Sequence, residues 1–494
     1  MTSCATSSGR TRRPPACNSR SAAGGRVPDP TAPRIVILGG GPAGYEAALV
    51  ASELGADVTV IADEGLGGNC VLSDCVPSKA LIVSAEAMGW TRTAIDLGVR
   101  VPEGGELDHT YVDLRAVATR VLGLAANQSH DIERKVRRNG ARVLRGRGRV
   151  SGWHEITVEL ADDAGDEILP ADVLLVATGS SPRVLPFFTP DGERVLTSKD
   201  VYGLAEVPER LIVVGSGATG AEFAHAFVRF GSDVVLVSSR ELILPTEDPD
   251  AAQVIEDVFE RRGMTILRKV RAGSCERYGD SVRVGLNDGS RVEGSHVLFT
   301  VGQVPASRGL GLEDVGVRIE AWDAIPVDGV ARTNVTWIYA AGDVVGRMML
   351  ANVAAMQGRT AMWHALGQAV APIRWDAVTS TIFTEPEVAT TGLTEADCRS
   401  QQVPFRTSRL DFSGNPRAKM AQRQDGFVKV IAMPGSGTVL GAVVVSDAAS
   451  DLIQPLAVAV HNRLSISQLA TTSTVYPSMA GSVSEAARLL MQAV

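Results

Sequence analysis

The chain has few cysteines, no long apolar run and no excess of positive charge. No uninterrupted apolar stretch approaches the roughly 18 residues of a membrane-spanning helix, so no such segment is expected. Six cysteines in 494 residues do not make a secreted disulfide framework and point to a reducing, cytoplasmic setting. A net charge of −8 gives no reason to expect nucleic acid or an anionic membrane as a partner. A second Cys-x-x-Cys and a histidine pair at ligand spacing are both missing, so a zinc half-site is poorly supported and no metal is expected. Acids are nearly absent from residues 1–33, where Asp29 stands alone among Ser, Ala, Arg and Pro. That stretch lacks the apolar core of about 7–15 residues that a secretory signal needs. A disordered N-terminal extension is expected there, with a transit peptide as the other reading and folded structure from about Arg34.

What the chain does have is glycine, 50 residues of it, placed in two matching units. "RIVILGGGPAGYEAALVASELGADVTVIADEG" (34–65) reads as buried strand, tight turn, helix and second strand, with Gly39, Gly41 and Gly44 in a Gly-x-Gly-x-x-Gly turn. Such glycines let backbone N–H groups approach a pyrophosphate at a helix N-terminus. The strand before and helix after supply the context the motif needs. "RLIVVGSGATGAEFAHAFVRFGSDVVLVSSRE" (210–241) repeats the unit with Gly215, Gly217 and Gly220. The copies are too far apart for a solenoid and imply two dinucleotide sites, one for a nicotinamide and one for a second dinucleotide, most naturally a flavin.

Elsewhere, 113–140 has helical apolar spacing, and "ITVEL", "DVLLVATG" and "HVLFTVGQVP" read as strands. "IPVDGVARTNVTWIYAAGDVVG" gives further strands and brings Asp343 to a strand end, where ligand contacts cluster in open α/β sheets. From about 373 the pattern becomes antiparallel strands followed by apolar-striped helices, a separate α+β domain suited to assembly.

Between these landmarks lies "GGNCVLSDCVPSK" (67–79), with Cys70 and Cys75 five positions apart. In an undistorted helix their Cα atoms would be roughly 8–9 Å apart, beyond the ~4.4–6.8 Å a disulfide tolerates. A redox pair here needs an irregular turn, which the Gly67-Gly68 lead-in permits. A helix N-terminus would also lower a thiolate pKa. The residues alone leave a redox pair, ordinary small residues and a metal half-site all open.

Taken together, "ILGGGPAGYEAA", "GGNCVLSDCVPSKAL", "VATGSSP", "VVGSGATGAEF", "IYAAGDV" and "TIFTEPEVATTGLTE" resemble the flavoprotein (pyridine nucleotide) disulfide reductase family, which includes dihydrolipoamide dehydrogenase. The resemblance covers about 34–494. It implies an α/β protein with two Rossmann-like dinucleotide-binding domains, for FAD and NAD(P), and a C-terminal α+β dimerisation domain. The implied division is FAD-binding over 34–185 and 307–372, NAD(P)-binding over 186–306 and interface over 373–494. Carried over by position, Gly39, Gly41, Gly44, Thr178, Gly179, Asp343 and Ala351 would contact FAD. Gly215, Gly217, Gly220 and Gly302 would hold NAD(P). Lys79 and Glu222 match the pair beside the flavin, and Cys70 and Cys75 match the redox pair. The acid expected after the second strand is replaced by Ala62, with Asp63 or Glu64 as substitutes. On the nicotinamide side, Ser238, Ser239 and Arg240 stand where NADH-preferring members have an acid; hydroxyls and a guanidinium suit a 2′-phosphate, so NADPH is expected with NADH also usable.

One departure bears on the chemistry. Thiol exchange needs a general base with a pKa near 7, which the family supplies from a His-Pro-Thr segment of the partner subunit. Here Tyr476-Pro477-Ser478 fills that register, and no histidine follows His461. A tyrosine with an unperturbed pKa of about 10 is a poor base. The pattern looks like the branch described as NAD(P)H quinone reductases. The expectation is a homodimeric FAD enzyme passing electrons from NADPH or NADH to a quinone or similar small acceptor. Two alternatives stand beside it: a dihydrolipoyl dehydrogenase-type disulfide reductase using Cys70–Cys75, and a flavin-binding redox sensor without turnover.

Overall fold

The computed structural model describes residues 31–100 and 110–491. Apart from its last three residues, the extension expected over 1–33 lies outside them. The first unit opens with β1 (Arg34–Leu38), α1 (Pro42–Glu53) and β2 (Asp57–Ala62). β1 is buried from Ile35 onward, which is why it carries a continuous apolar run and no alternation. Proline opens α1 at a position that needs no N–H donor. Next come α2 (Gly68–Leu72), α3 (Cys75–Asp96) and α4 (Leu114–Arg138). The Asp113 side chain accepts from Ala116 N at 3.0 Å, and Lys135, Arg137 and Arg138 occupy α4's last turn, each favoured by the helix dipole. β3 (Arg142–Gly152), β4 (Glu155–Leu160) and β5 (Asp166–Pro170) form an antiparallel meander, and β6 (Val173–Val176) lies parallel to β1.

The second unit contains β7 (Val195–Thr197), β8 (Arg210–Val214), α5 (Ala218–Phe230), β9 (Asp233–Val237), α6 (Pro249–Arg261), β10 (Thr265–Leu267) and β11 (His296–Phe299). Its sheet is parallel throughout, in the order β10-β9-β8-β11-β7. A three-stranded antiparallel sheet over 272–294 precedes β11. The chain then returns to the first sheet with β12 (Ile338–Ala340), giving the order β12-β6-β1-β2-β3-β4-β5. The strands expected across 325–346 reduce to β12, because 326–335 is mostly turn and extended loop.

α7 (Ala351–Ala365) then packs against α1 so closely that a Cβ at Gly358 would lie 2.1 Å from Ala43 O. The C-terminal part is a five-stranded antiparallel sheet of β13 (Thr379–Ile382), β14 (Glu387–Gly392), β15 (Arg406–Asp411), β16 (Phe427–Ala432) and β17 (Val439–Ser446), in the order β13-β14-β17-β16-β15. α8 (Gln454–Asn462) and α9 (Gly481–Met491) pack on it. Its core joins strand residues such as Val428 and Val444 to Leu456 and Leu490 of these helices.

Candidate active site

A cavity of about 860 Å³ opens at the carboxyl ends of β1, β2 and β6, where the strand order switches direction around β1. Two helices point their N-termini into it. Gly41 precedes α1 and Leu350 precedes α7, and neither caps its helix with a side chain. In α7 the Val353 N–H is taken by Asn352 Oδ1, and the remaining first-turn N–H groups are available to an anion. The glycine turn makes this possible. Gly39 sits at φ +106°, a Cβ at Gly44 would meet Gly39 O at 1.9 Å, and the space beside Gly41 is open. Ala351, the first residue of α7, lines the same cavity.

Along one wall run Thr178, Gly179 and Ser180. Thr178 Oγ1 donates to Ala306 O (2.7 Å), and Ser180 Oγ donates to Asp343 Oδ2 (2.7 Å). Burial pushes the Asp343 carboxyl up, against the Ser180 hydrogen bond. At the far end Ala62 closes β2, and Asp63 lies in the cavity wall with its carboxylate accepting from Arg147 Nε at 2.8 Å. Arg147 itself was not foreseen, because nothing in β3 marks it as a partner until the meander folds over β2.

The cysteines lie where the chain breaks. Gly67 (φ +101°) and Gly68 (φ +54°) reverse the backbone ahead of α2. α2 carries Cys70 and stops at Ser73, and α3 starts again at Cys75. The irregularity therefore lies between the thiols as well as before them, and it sets the two close enough to shift each other's titration. The hydrogen bond from Cys75 is the main reason Cys70 is lowered; burial and the nearby Asp74 oppose it. Cys75 is raised, by the same hydrogen bond and by burial. Depression by the helix N-terminus is thus not what separates the pair: the lowered thiol is Cys70, outside α3.

One turn beyond Cys75, Lys79 Nζ donates to Glu222 Oε2 of α5 at 2.8 Å. Glu222 Oε1 accepts from Phe383 N at 2.9 Å, and the ammonium lies 5.0 Å from the Phe383 ring centroid. Burial is the largest influence on Lys79 and works against its charge, but Glu222, Cys75 and Asp74 together outweigh it and the lysine is raised. The ion pair sits behind the cysteines and outside the cavity lining.

At the second glycine turn a Cβ at Gly220 would meet Gly215 O at 1.9 Å, and Gly217 opens α5 with free space beside it. Gly302 follows β11 at φ +102° with its outer face open. Ser238 does not face a ligand as expected. It is fully buried (0% exposed), and its hydroxyl is engaged with Ser216 Oγ (2.7 Å) and Arg240 N (3.2 Å). Its place at the end of a parallel strand puts it inside the turn it stabilises. Ser239 and Arg240 are exposed on that turn. Tyr476 is not brought to the thiols within the chain. It is 82% exposed and absent from the cavity wall, as is every histidine among the described residues. Asn69, Asp74 and Lys199 also line the cavity beside the cysteines and were missed by sequence reasoning. Asp74 was in view within the cysteine motif, with no spacing rule to single it out.

Comparison with known proteins places these features. The model of the pyridine nucleotide-disulphide oxidoreductases matches residues 33–358, and the model of their dimerisation domain matches 378–487. The chain is 48% identical over 467 residues to a Mycobacterium tuberculosis protein named NAD(P)H dehydrogenase (quinone), covering 93% of this chain and 94% of that one. It is 31% identical to the dihydrolipoyl dehydrogenase of Bacillus subtilis, over 92% and 97% of the two chains. The crystal structure of LpdA from Mycobacterium tuberculosis is similar with a TM-score of 0.88 at 47% identity, covering 93% of this chain and all (100%) of that one. The Escherichia coli flavoprotein disulfide reductase RclA shares the fold, with a TM-score of 0.80 at 23% identity over 92% of this chain and 100% of its own.

Proposed function

Because the chain belongs to the pyridine nucleotide-disulphide oxidoreductases and is an FAD-dependent NAD(P)H oxidoreductase, the acceptor is what its own residues must decide, and we propose a quinone-type small molecule. The carrying observation is a thiol pair without a base: among the described residues no histidine lines the cavity, and an exposed tyrosine stands at the position where the family keeps one. The name of the Mycobacterium tuberculosis relative supports the same reading.

The residues present fit FAD. The uncapped α1 terminus with Gly39, Gly41 and Gly44 suits the pyrophosphate, and Asp343 with Ser180 suits hydroxyls of the ribityl chain. Thr178, Gly179 and Ala351 would wall the flavin, and Asp63, held by Arg147, would stand in for the acid missing at Ala62. FAD held by these residues would supply the two-electron chemistry that links NAD(P)H to an acceptor. Lys79, fixed by Glu222, would set the positive potential beside it. Gly215, Gly217, Gly220 and Gly302 would hold the nicotinamide dinucleotide.

Arg240 is exposed and its neighbour Glu241 is paired with Lys269, an arrangement that favours NADPH. Arg240→Ala is expected to raise the KM for NADPH about tenfold, the scale of one lost charge-assisted contact, while leaving the KM for NADH within twofold. Steady-state kinetics with both nucleotides checks this.

The dimerisation-domain match supports a homodimer, which would put Val475 and Tyr476 at a partner's site. Among the described residues no helix is long and apolar enough to cross a membrane, and the cysteine usage favours the cytoplasm.

The acceptor is tested by NADPH oxidation with menadione, with lipoamide and with no acceptor, in the wild type and in Cys70→Ser. Menadione turnover that survives Cys70→Ser within a few-fold is expected. Robust lipoamide reduction, or a loss of menadione turnover on the order of 10²-fold in Cys70→Ser, would return the assignment to disulfide chemistry. Bound flavin with no turnover on any acceptor would favour the redox sensor.

A further inference from the structure

Asp74 is a charged group in the cavity to which the reading above gives no task. It immediately precedes α3, the position from which an aspartate ordinarily caps a helix. Its backbone (φ −133°, ψ −97°) turns the side chain away, and no cap bond forms. Among the described residues its carboxyl has no hydrogen bond or ion pair. Two of the ionisable groups around it are committed elsewhere: Asp343 accepts from Ser180 and Lys79 donates to Glu222. Asp74 instead lines the cavity beside Cys70 and Cys75.

The charged groups facing it come from four elements: Lys79 on α3, Glu222 on α5, Asp343 after β12 and Lys199 after β7. The thiols and the buried phenol of Tyr202 complete its surroundings. Burial dominates and, with Glu222 and Asp343, raises the carboxyl against the two lysines. An aspartate so placed holds its proton to higher pH than a free one.

Quinone reduction needs such a proton. The balanced reaction is quinone + NAD(P)H + H⁺ → hydroquinone + NAD(P)⁺. NAD(P)H supplies two electrons and one proton as a hydride; the second proton has to come from an acid at the site or from solvent. Resting on the quinone reading, we propose that Asp74 is a catalytic residue that delivers this second proton: its carboxyl O–H breaks, an O–H bond forms on the acceptor oxygen, and water in the cavity reprotonates the carboxylate.

The test compares the holoenzyme with Asp74→Asn and Asp74→Glu, using menadione and ferricyanide as acceptors across pH 5–9. Ferricyanide takes electrons and no proton. Asp74→Asn is expected to lower the ratio of menadione to ferricyanide turnover on the order of 10²-fold, and Asp74→Glu to restore most of it. Because the acid form is the working one, wild-type menadione kcat should fall as pH rises through the Asp74 pKa. That limb should vanish in Asp74→Asn. An unchanged ratio beside a quinone-reducing wild type overturns the role of Asp74 alone, and so does an equal loss on both acceptors, which marks a merely structural side chain. A wild type that reduces ferricyanide but no quinone overturns the quinone reading and the Asp74 role with it.

Discussion

Gly44→Ala gives a protein that emerges from purification without flavin. The added Cβ would stand 1.9 Å from Gly39 O and 3.0 Å from Gly39 C, and both are backbone atoms with nowhere to go. Gly39 N donates to Ile61 O at 2.8 Å, so the turn cannot yield without disturbing β2, and α1 must slide instead. α1 in turn is locked to α7 through the close approach at Gly358. Overpacking of this kind costs about 1–3 kcal/mol in stability, which a chain of this size tolerates. A displacement of about 1 Å at a site that relies on aligned N–H groups costs on the order of 10²-fold in function. The expected outcome is a flavin-to-protein absorbance ratio near that of apoprotein and an FAD Kd raised by at least about 10²-fold. Gly220→Ala is the matched control, with its Cβ 1.9 Å from Gly215 O. It should retain flavin and lose reduction by NADPH instead. Flavin retained at wild-type affinity in Gly44→Ala would contradict the assignment of the first glycine turn.

Lys79→Met removes the cation from an ion pair in which the Glu222 side chain is only 7% exposed and the Lys79 side chain 29%. Deleting one member of a buried pair costs about 3–5 kcal/mol. The lower end is expected here because the Phe383 N–H still donates to Glu222 and water reaches the lysine side. The substitution also removes the positive charge one helical turn from Cys75 and leaves the Glu222 carboxylate of α5 unneutralised. Loss of a preorganised charge of this type costs about 10²–10³ in rate. Stopped-flow reduction of the flavin by NADPH should slow by that amount, with Tm lowered as well. Lys79→Arg separates the two effects: it keeps the charge, and should recover most of the stability while restoring rate only as far as the longer guanidinium can match the geometry. Unaltered reduction kinetics in Lys79→Met would remove Lys79 from the site.

Much of this architecture is legible in the residues because both Rossmann units advertise themselves locally. A four-residue buried run, a glycine turn and an Ala-rich helix are consecutive in sequence, and the chemistry of each turn depends on backbone alone. What sequence reading misses depends on packing between distant segments. "ITVEL" marks β4, but β3, β5 and the sheet over 272–294 are polar enough on their outer faces to pass as loops. Arg147 meets Asp63 only after β3 pairs with β2. Ser238 has a hydroxyl, which suggests a ligand contact, yet its backbone position buries it beside Ser216. Asp74 lies in the middle of the most informative motif in the chain. Its side chain became interpretable only when the backbone angles showed that it caps nothing.

The return of the chain at β12 has a consequence for the order in which this protein assembles. The strands of the nicotinamide unit all fall between residues 195 and 299, so that unit can fold as soon as its own segment has left the ribosome. The flavin cavity cannot. Its walls include Gly39 near the start, Asp343 after β12, and Ala351 at the head of α7; β12 pairs with β6 across more than 160 residues of intervening chain. Vectorial synthesis therefore completes the second dinucleotide site before the first, and leaves α1 without its packing partner α7 until residue 365 has emerged. On the assignment proposed above, flavin capture comes late in the life of the nascent chain, and any truncation ahead of α7 leaves the second unit attached to half a pocket.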